Sequence, residues 1–159
     1  MTEVKLTGIG VSEGVRIGKA FRYERAPAVQ FRQIDEQEAV SEVKRLTEAK
    51  EQAIKSMEDW SRQAKATIGE EKAGMIEAQK SFLQDPAFCP EMEKLIGKSL
   101  ISAEAAVDQV VKKFAAIFEA MPNEYMQERA ADVKDVGVRL LQALSGAQEK
   151  TLENIRSEV

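Results

Sequence analysis

Histidine is absent from all 159 residues. Histidine is the usual general base near neutral pH and a common metal ligand. Its absence removes Ser-His-Asp, Cys-His and zinc–histidine chemistry from consideration. Cysteine occurs once, at Cys89, so no internal disulfide can form and the chain suits a reducing cytoplasm. No apolar run approaches the roughly 18 residues of a membrane span, and no signal-peptide core opens the sequence; membrane insertion is not expected. A basic surplus is missing as well. The formal charge is −4 with a pI near 5.1, which argues against nucleic acid, whose phosphates call for Lys and Arg. The same charge suits a basic protein partner, through complementary fields that speed encounter.

Proline is scarce, at four residues, and long stretches consist of Ala, Glu, Lys, Gln and Leu, all good helix formers. Hydrophobic content of 43% and charged content of 31% describe an ordinary globular chain. Its length suits one domain, or one domain plus part of another. Residues 3–23 read differently from the rest. Val4 and Leu6 alternate with polar residues, Val15 and Ile17 open a second short strand, and Gly8, Gly10 and Gly14 supply turns. The glycines do not make a phosphate loop, because no Lys-Ser/Thr and helix start follow them. Arg25 to Gln33, with Pro27, is a connector.

Asp35 stands three residues before Glu38, a capping-box arrangement. From there Val40, Val43, Leu46, Ala49, Ala53, Met57, Trp60, Ala64 and Ile68 recur at gaps of three or four, predicting one long amphipathic helix. Gly69 ends it. A second helix runs from Glu70 to about Gln84, with two acids at the positive end of its dipole. Phe82 and Leu83 are adjacent on it, so only one of them can point fully inward. Pro90 suits the first position of a short third helix ending near Gly97. Ser102 caps a fourth, whose apolar face comprises Ala106, Val107, Val110, Val111, Phe114, Ile117 and Phe118. After Met121-Pro122-Asn123 a fifth helix carries Met126, Ala130, Val133, Gly137, Leu140, Leu141 and Leu144, and stops at Ser145-Gly146. Short connections make consecutive helices antiparallel neighbours. The expected fold is mainly α, an antiparallel bundle of four to five helices with a short N-terminal β-hairpin.

Gly69 to Pro86, GEEKAGMIEAQKSFLQDP, stands out within this scaffold as a short helix mixing acid with a large apolar side chain. It reads as a docking surface for a basic partner, and nothing comparable suggests a catalytic site. Each residue also has a plainer reading. Glu70 and Glu71 fit a solvated helix start, Trp60, Phe114 and Phe118 fit core, and Arg129, Asp132 and Asp135 fit a helix-face ladder. Cys89 has no basic neighbour to make it a thiolate and reads as inert.

Three segments, GIGVSEGVRIGKA, GEEKAGMIEAQKSFLQDP and YMQERAADVKDVGVRLL, resemble in order the signatures of enzyme I of the phosphoenolpyruvate:sugar phosphotransferase system. The likeness spans about Thr7 to Leu144, and ERAADVKDVGVRLL is its most specific part. The resemblance implies a protein that passes phosphate from phosphoenolpyruvate, through its own histidine, to the small carrier HPr. In that family a helical HPr-binding subdomain is inserted in an α/β phosphohistidine subdomain. The phosphorylated histidine lies in a downstream Gly-Gly-x-Thr-Ser-His motif, and phosphoenolpyruvate and magnesium bind a separate C-terminal barrel.

The implied division is 1–30, opening strands and connector of the α/β subdomain; 31–145, the HPr-binding subdomain; and 146–159, a return segment. The expectation is an excised, non-catalytic part of a longer cytoplasmic enzyme, with no cofactor or metal of its own. Carried over by resemblance, Glu70 and Glu71 face carrier arginines, Phe82 and Phe88 are apolar anchors with Asp85 between them, and Ser81 lies on the same surface. Phe118, Met126 and Arg129 form the facing wall. Gln79, Ser81 and Gln84 depart from the family's frequent His, large apolar residue and Glu, which weakens the surface. The alternative is a helical-bundle adaptor or regulatory relative with another protein partner. The N-terminal strands, separated from their sheet, are expected to fold back as a hairpin or to pair between chains.

Overall fold

Local signals for the starts of the first and fourth helices are obeyed in detail. The structure, a computed structural model, describes residues 31–67 and 69–146, except the side chains of residues 67 and 71–73. These residues belong to one compact unit, Glu24–Glu149. The expected strands at 4–9 and 15–21 and the return segment beyond Gly146 lie outside the described residues, as does Ile68.

Five helices follow in order: α1 Glu36–Thr67, α2 Glu70–Gln84, α3 Phe88–Ser99, α4 Ala103–Glu119 and α5 Glu124–Leu144. The capping box forms as expected. The Glu38 amide donates to Asp35 Oδ1 at 2.8 Å, and the Asp35 amide donates to Glu38 Oε2 at 3.2 Å. Ser102 caps α4 by accepting from the Ala105 amide, and Asn123 caps α5 by accepting from the Tyr125 amide. Gly69 separates α1 from α2 with a φ of 95°, a left-handed conformation that side chains resist.

The helices pack antiparallel, which their contacts fix. Glu77 of α2 meets Ser61 of α1, and Lys80, one turn later, reaches back to Glu58. Gly137 of α5 lies against Val111 of α4, and Lys134 pairs with Glu119 at 2.6 Å. The core between them includes Leu46 and Met57 of α1, Leu83 of α2, Phe88, Met92 and Ile96 of α3, Val107 and Val110 of α4, and Val133, Val136 and Leu140 of α5.

Three expectations are corrected. Val40 is 76% exposed and Ala39 is buried in its place, because the core-facing stripe of α1 begins one residue earlier than the apolar spacing suggests. Ile117 is 47% exposed rather than part of the α4 core face. The third helix is longer than Pro90–Gly97. Asp85 Oδ1 accepts from the Ala87 amide at 2.7 Å and opens it early, which places Pro90 in the first turn, where its missing N–H costs nothing. Its end is set by Leu100, at φ 51°, rather than by Gly97.

That left-handed leucine is held from outside its own helix. The Ile34 amide donates to Leu100 O and the Ser102 amide to Arg32 O, each at 2.9 Å, around an isolated antiparallel bridge between Gln33 and Ile101. Beside this bridge sits Glu42, a charged residue only 3% exposed. Its Oε2 accepts from the Ala103 amide at 2.8 Å, and its Oε1 accepts from Arg45 at 2.7 Å and from Arg32 at 3.1 Å. Arg45 also pairs with Glu104 and donates to Leu144 O. One carboxylate thus joins the start of α1, the start of α4 and, through Arg45, the end of α5.

Candidate functional site

Where α2, α4 and α5 converge, an aromatic cluster reaches the surface. Leu83 takes the inward position on α2, so Phe82 is left half-buried at its flank. Its ring meets Phe118 of α4 edge-on, with centroids 5.9 Å apart and planes at 85°, and meets Phe88 of α3 at 6.3 Å. Phe88 in turn stands edge-on to Phe114 at 5.3 Å. Such tilted pairs set positive ring edges against negative faces and are worth about 0.5–1.5 kcal/mol beyond their burial. The guanidinium of Arg129, on α5, lies 5.1 Å from the Phe82 centroid, within cation–π range. One turn away Gln79 Nε2 donates to Asp132 Oδ1 at 3.2 Å.

The expected site residues divide into three groups. Phe82, Phe118 and Arg129 come together in direct contact, and Met126 is half-buried one turn before Arg129 on α5. Glu70, Ser81 and Asp85 are exposed on α2 or at its end; Ser81 Oγ donates to Ala78 O and Asp85 is also occupied with the Ala87 amide. The side chain of Glu71 lies outside the described residues. Phe88 is a correction. It is 0% exposed, because as the first residue of α3 it turns under Phe82 and braces that ring from below. An anchor that a partner touches it is not.

Exposed apolar residues enlarge the surface beyond those expectations. Met75 is 63% exposed and precedes Phe82 by two helical turns, on the same face of α2. Tyr125 is 65% exposed in the first turn of α5, and Ile117 sits beside Phe118 on α4. Periodicity alone did not single them out, since Met75 and Ile117 satisfy a helical apolar pattern as well as core residues do.

Segment 70–94 carries six acids against three lysines, counted from the sequence. Two of those lysines are already spent within the bundle. Lys80 pairs with Glu77 at 2.8 Å and Glu58 at 3.5 Å, and Lys94 pairs with Glu91. Glu77 titrates below the ordinary carboxylate range because Lys80 and Ser61 hydrogen-bond to it, and Glu91 does so because of Lys113. Both carboxylates are thus ionised but paired within the bundle, which leaves the exposed Glu70 and Asp85 as the acids on this part of α2.

The single cysteine is not a nucleophile at neutral pH. Cys89 is buried, its Sγ donates to Leu83 O at 3.5 Å, and burial pushes its thiol up to about 11. It stays protonated at neutral pH. Among the described residues no group of His, Cys, Asp or Glu side chains fits a metal ion, magnesium included. No helix of the described residues is long and apolar enough to cross a membrane.

Comparison with known proteins identifies the family. The family model of the PEP-utilising enzyme N-terminal domain matches residues 7–129. The phosphoenolpyruvate-protein phosphotransferase of Priestia megaterium is 37% identical over 156 residues, covering 98% of this chain and 27% of that protein. The enzyme of the same name from Bacillus subtilis is 35% identical, again over 98% of this chain and 27% of that protein. This chain thus spans about a quarter of the length of these relatives. A solution structure of an enzyme I protein aligns with a TM-score of 0.72 and 30% identity, over 75% of this chain and 48% of that one. With the match covering most of its length and the helical fold in common, the chain belongs to the PEP-utilising enzyme N-terminal family and is related to the enzyme I phosphotransferases.

Proposed function

We propose that this chain is the HPr-docking region of a phosphoenolpyruvate-protein phosphotransferase of the sugar phosphotransferase system, working in the cytoplasm. Residues 31–145 form the docking subdomain in this reading, and 1–30 with 146–159 belong to the phosphohistidine subdomain. The observation that carries it is the Phe82–Phe118–Arg129 cluster, a half-exposed aromatic surface where α2, α4 and α5 meet, flanked by the exposed acids Glu70 and Asp85. Interfaces draw most of their energy from a few aromatic and arginine anchors near their centre. Charge around such a centre steers a basic partner and sets the on-rate more than the affinity.

Docking leaves the chemistry to the partner and to other parts of the enzyme. With no histidine among its 159 residues, this chain has no phosphohistidine to form. It holds the carrier while phosphate passes elsewhere.

Titration of the isotopically labelled chain with HPr tests the proposal. Amide signals of residues 70–85, 117–118 and 125–129 are expected to shift together and to saturate. A spectrum that HPr leaves unchanged contradicts it and favours an adaptor with another partner.

A further inference from the structure

Two contacts, one helical turn apart, tie α2 to α5, and together they pose a question about charge. Gln79 Nε2 donates to Asp132 Oδ1 at 3.2 Å. One turn along α2, Phe82 carries Arg129 on its ring at 5.1 Å. Asp132 stands three residues after Arg129 on α5, a spacing at which a carboxylate and a guanidinium ordinarily meet. They do not pair here. Among the described residues Arg129 forms no ion pair or hydrogen bond, and the face of Phe82 is its partner. The ladder of Arg129, Asp132 and Asp135 is thus broken at its first rung.

The guanidinium lies on the aromatic face while the carboxylate accepts from α2 instead of closing the i,i+3 pair. Gln79 supplies the donor. With Asp132 turned to the amide of α2, the guanidinium covers the Phe82 ring and keeps its five N–H donors unpaired. Arg129 is half-buried, and a partner lying over the cluster would strip water from those donors. Such a partner must bring its own acceptor, because a buried donor left unsatisfied is penalised. A planar carboxylate matches the guanidinium fork best.

We propose that Gln79 and Asp132 are positioning residues of the docking face: their hydrogen bond leaves Arg129 stacked on Phe82 as a free guanidinium that selects a partner presenting a carboxylate opposite it. The inference rests on the docking reading above. It adds a specificity rule to it: an otherwise basic surface is accepted only with an acid at this point.

The full chain, labelled with nitrogen-15, and purified HPr supply the test. The variants are Gln79→Leu, the double variant Gln79→Leu with Asp132→Asn, and Arg129→Lys. In the free chain, Gln79→Leu releases Asp132 to Arg129, so the Arg129 Nε–Hε signal and the Phe82 ring signals move. HPr affinity falls roughly three- to tenfold. Adding Asp132→Asn returns both the signals and the affinity toward those of the parent, which loss of a merely structural bond would not do. Arg129→Lys keeps the charge but loses the fork, and weakens binding without rescue from Asp132→Asn. Unmoved Arg129 and Phe82 signals in Gln79→Leu overturn the positioning claim, and so does a double variant as weak as the single. Failure of the parent chain to bind HPr strikes the docking reading instead, and the free-chain spectra still decide whether Gln79 positions Arg129.

Discussion

Glu42 shows how much one side chain can organise. Burial opposes its ionisation, but the Ala103 amide, Arg45 and Arg32 outweigh that opposition and hold its carboxyl below the ordinary glutamate range. A group lowered in the folded state stabilises fully above its unfolded pKa, about 4.3 for glutamate. That contribution is lost as pH falls through the lower folded value. Glu42→Gln keeps the shape and removes the charge, so it should cost about 2 kcal/mol at neutral pH, measured by denaturant unfolding. The gap between parent and variant should close on acidification below about pH 4. A gap that stays constant down to about pH 3 would show that the difference does not come from ionisation of Glu42. The sequence offered no sign of this role, since Glu42 sits among the charged residues of a helix start. Its partners Ala103 and Arg32 are brought to it only by the fold.

Among the helical elements, two glycines make opposite predictions from the same substitution. An added Cβ at Gly137 would stand 2.6 Å from Val111 Cγ2 and 3.0 Å from Cγ1. Valine in a helix has one strongly preferred rotamer and cannot swing clear. Gly137→Ala should therefore destabilise the α4–α5 pair by about 1–2 kcal/mol, the overpacking cost exceeding the helix-propensity gain of about 1 kcal/mol. At Gly74 an added Cβ meets nothing within 4 Å, so Gly74→Ala should stabilise α2 by about 0.5–1 kcal/mol. Thermal unfolding of both variants checks the signs, and a stabilised Gly137→Ala protein would mean that α4 and α5 are not in such close contact.

What was legible at this scale were caps and long stripes: Asp35 with Glu38, Ser102 and the breaks at Gly69 and at Met121-Pro122-Asn123. Each depends on neighbours in sequence, so a pattern can show it. Val40 against Ala39, Ile117 and Phe88 were misplaced because their burial depends on which helix lies opposite. Phe82 remained ambiguous beside Leu83 until α5 and Arg129 were in place. The same holds for Gln79, whose partner Asp132 is 53 residues away in sequence.

For the molecule as a whole, the five helices share one core and their own caps, so this unit should unfold as a single cooperative step. The N-terminal strands expected at 4–9 and 15–21 pose a separate question that hydrogen exchange can answer. Amides there should exchange faster than those of 40–64 in α1 if the strands depend on a sheet completed by other residues. Equally slow exchange would show that they need no such sheet. Docking, the central claim, makes the sharpest demand on the intact surface. A buried aromatic anchor is worth about 2 kcal/mol or more, whereas an exposed charge pair contributes about 0–1 kcal/mol and is screened by salt. The decisive measurement is calorimetric titration of HPr into the parent chain, Phe82→Ala and Glu70→Gln at two salt concentrations. The account predicts that Phe82→Ala weakens binding at least tenfold or so at both concentrations, while Glu70→Gln changes affinity little and flattens its salt dependence. A Phe82→Ala protein that binds HPr as tightly as the parent would contradict it.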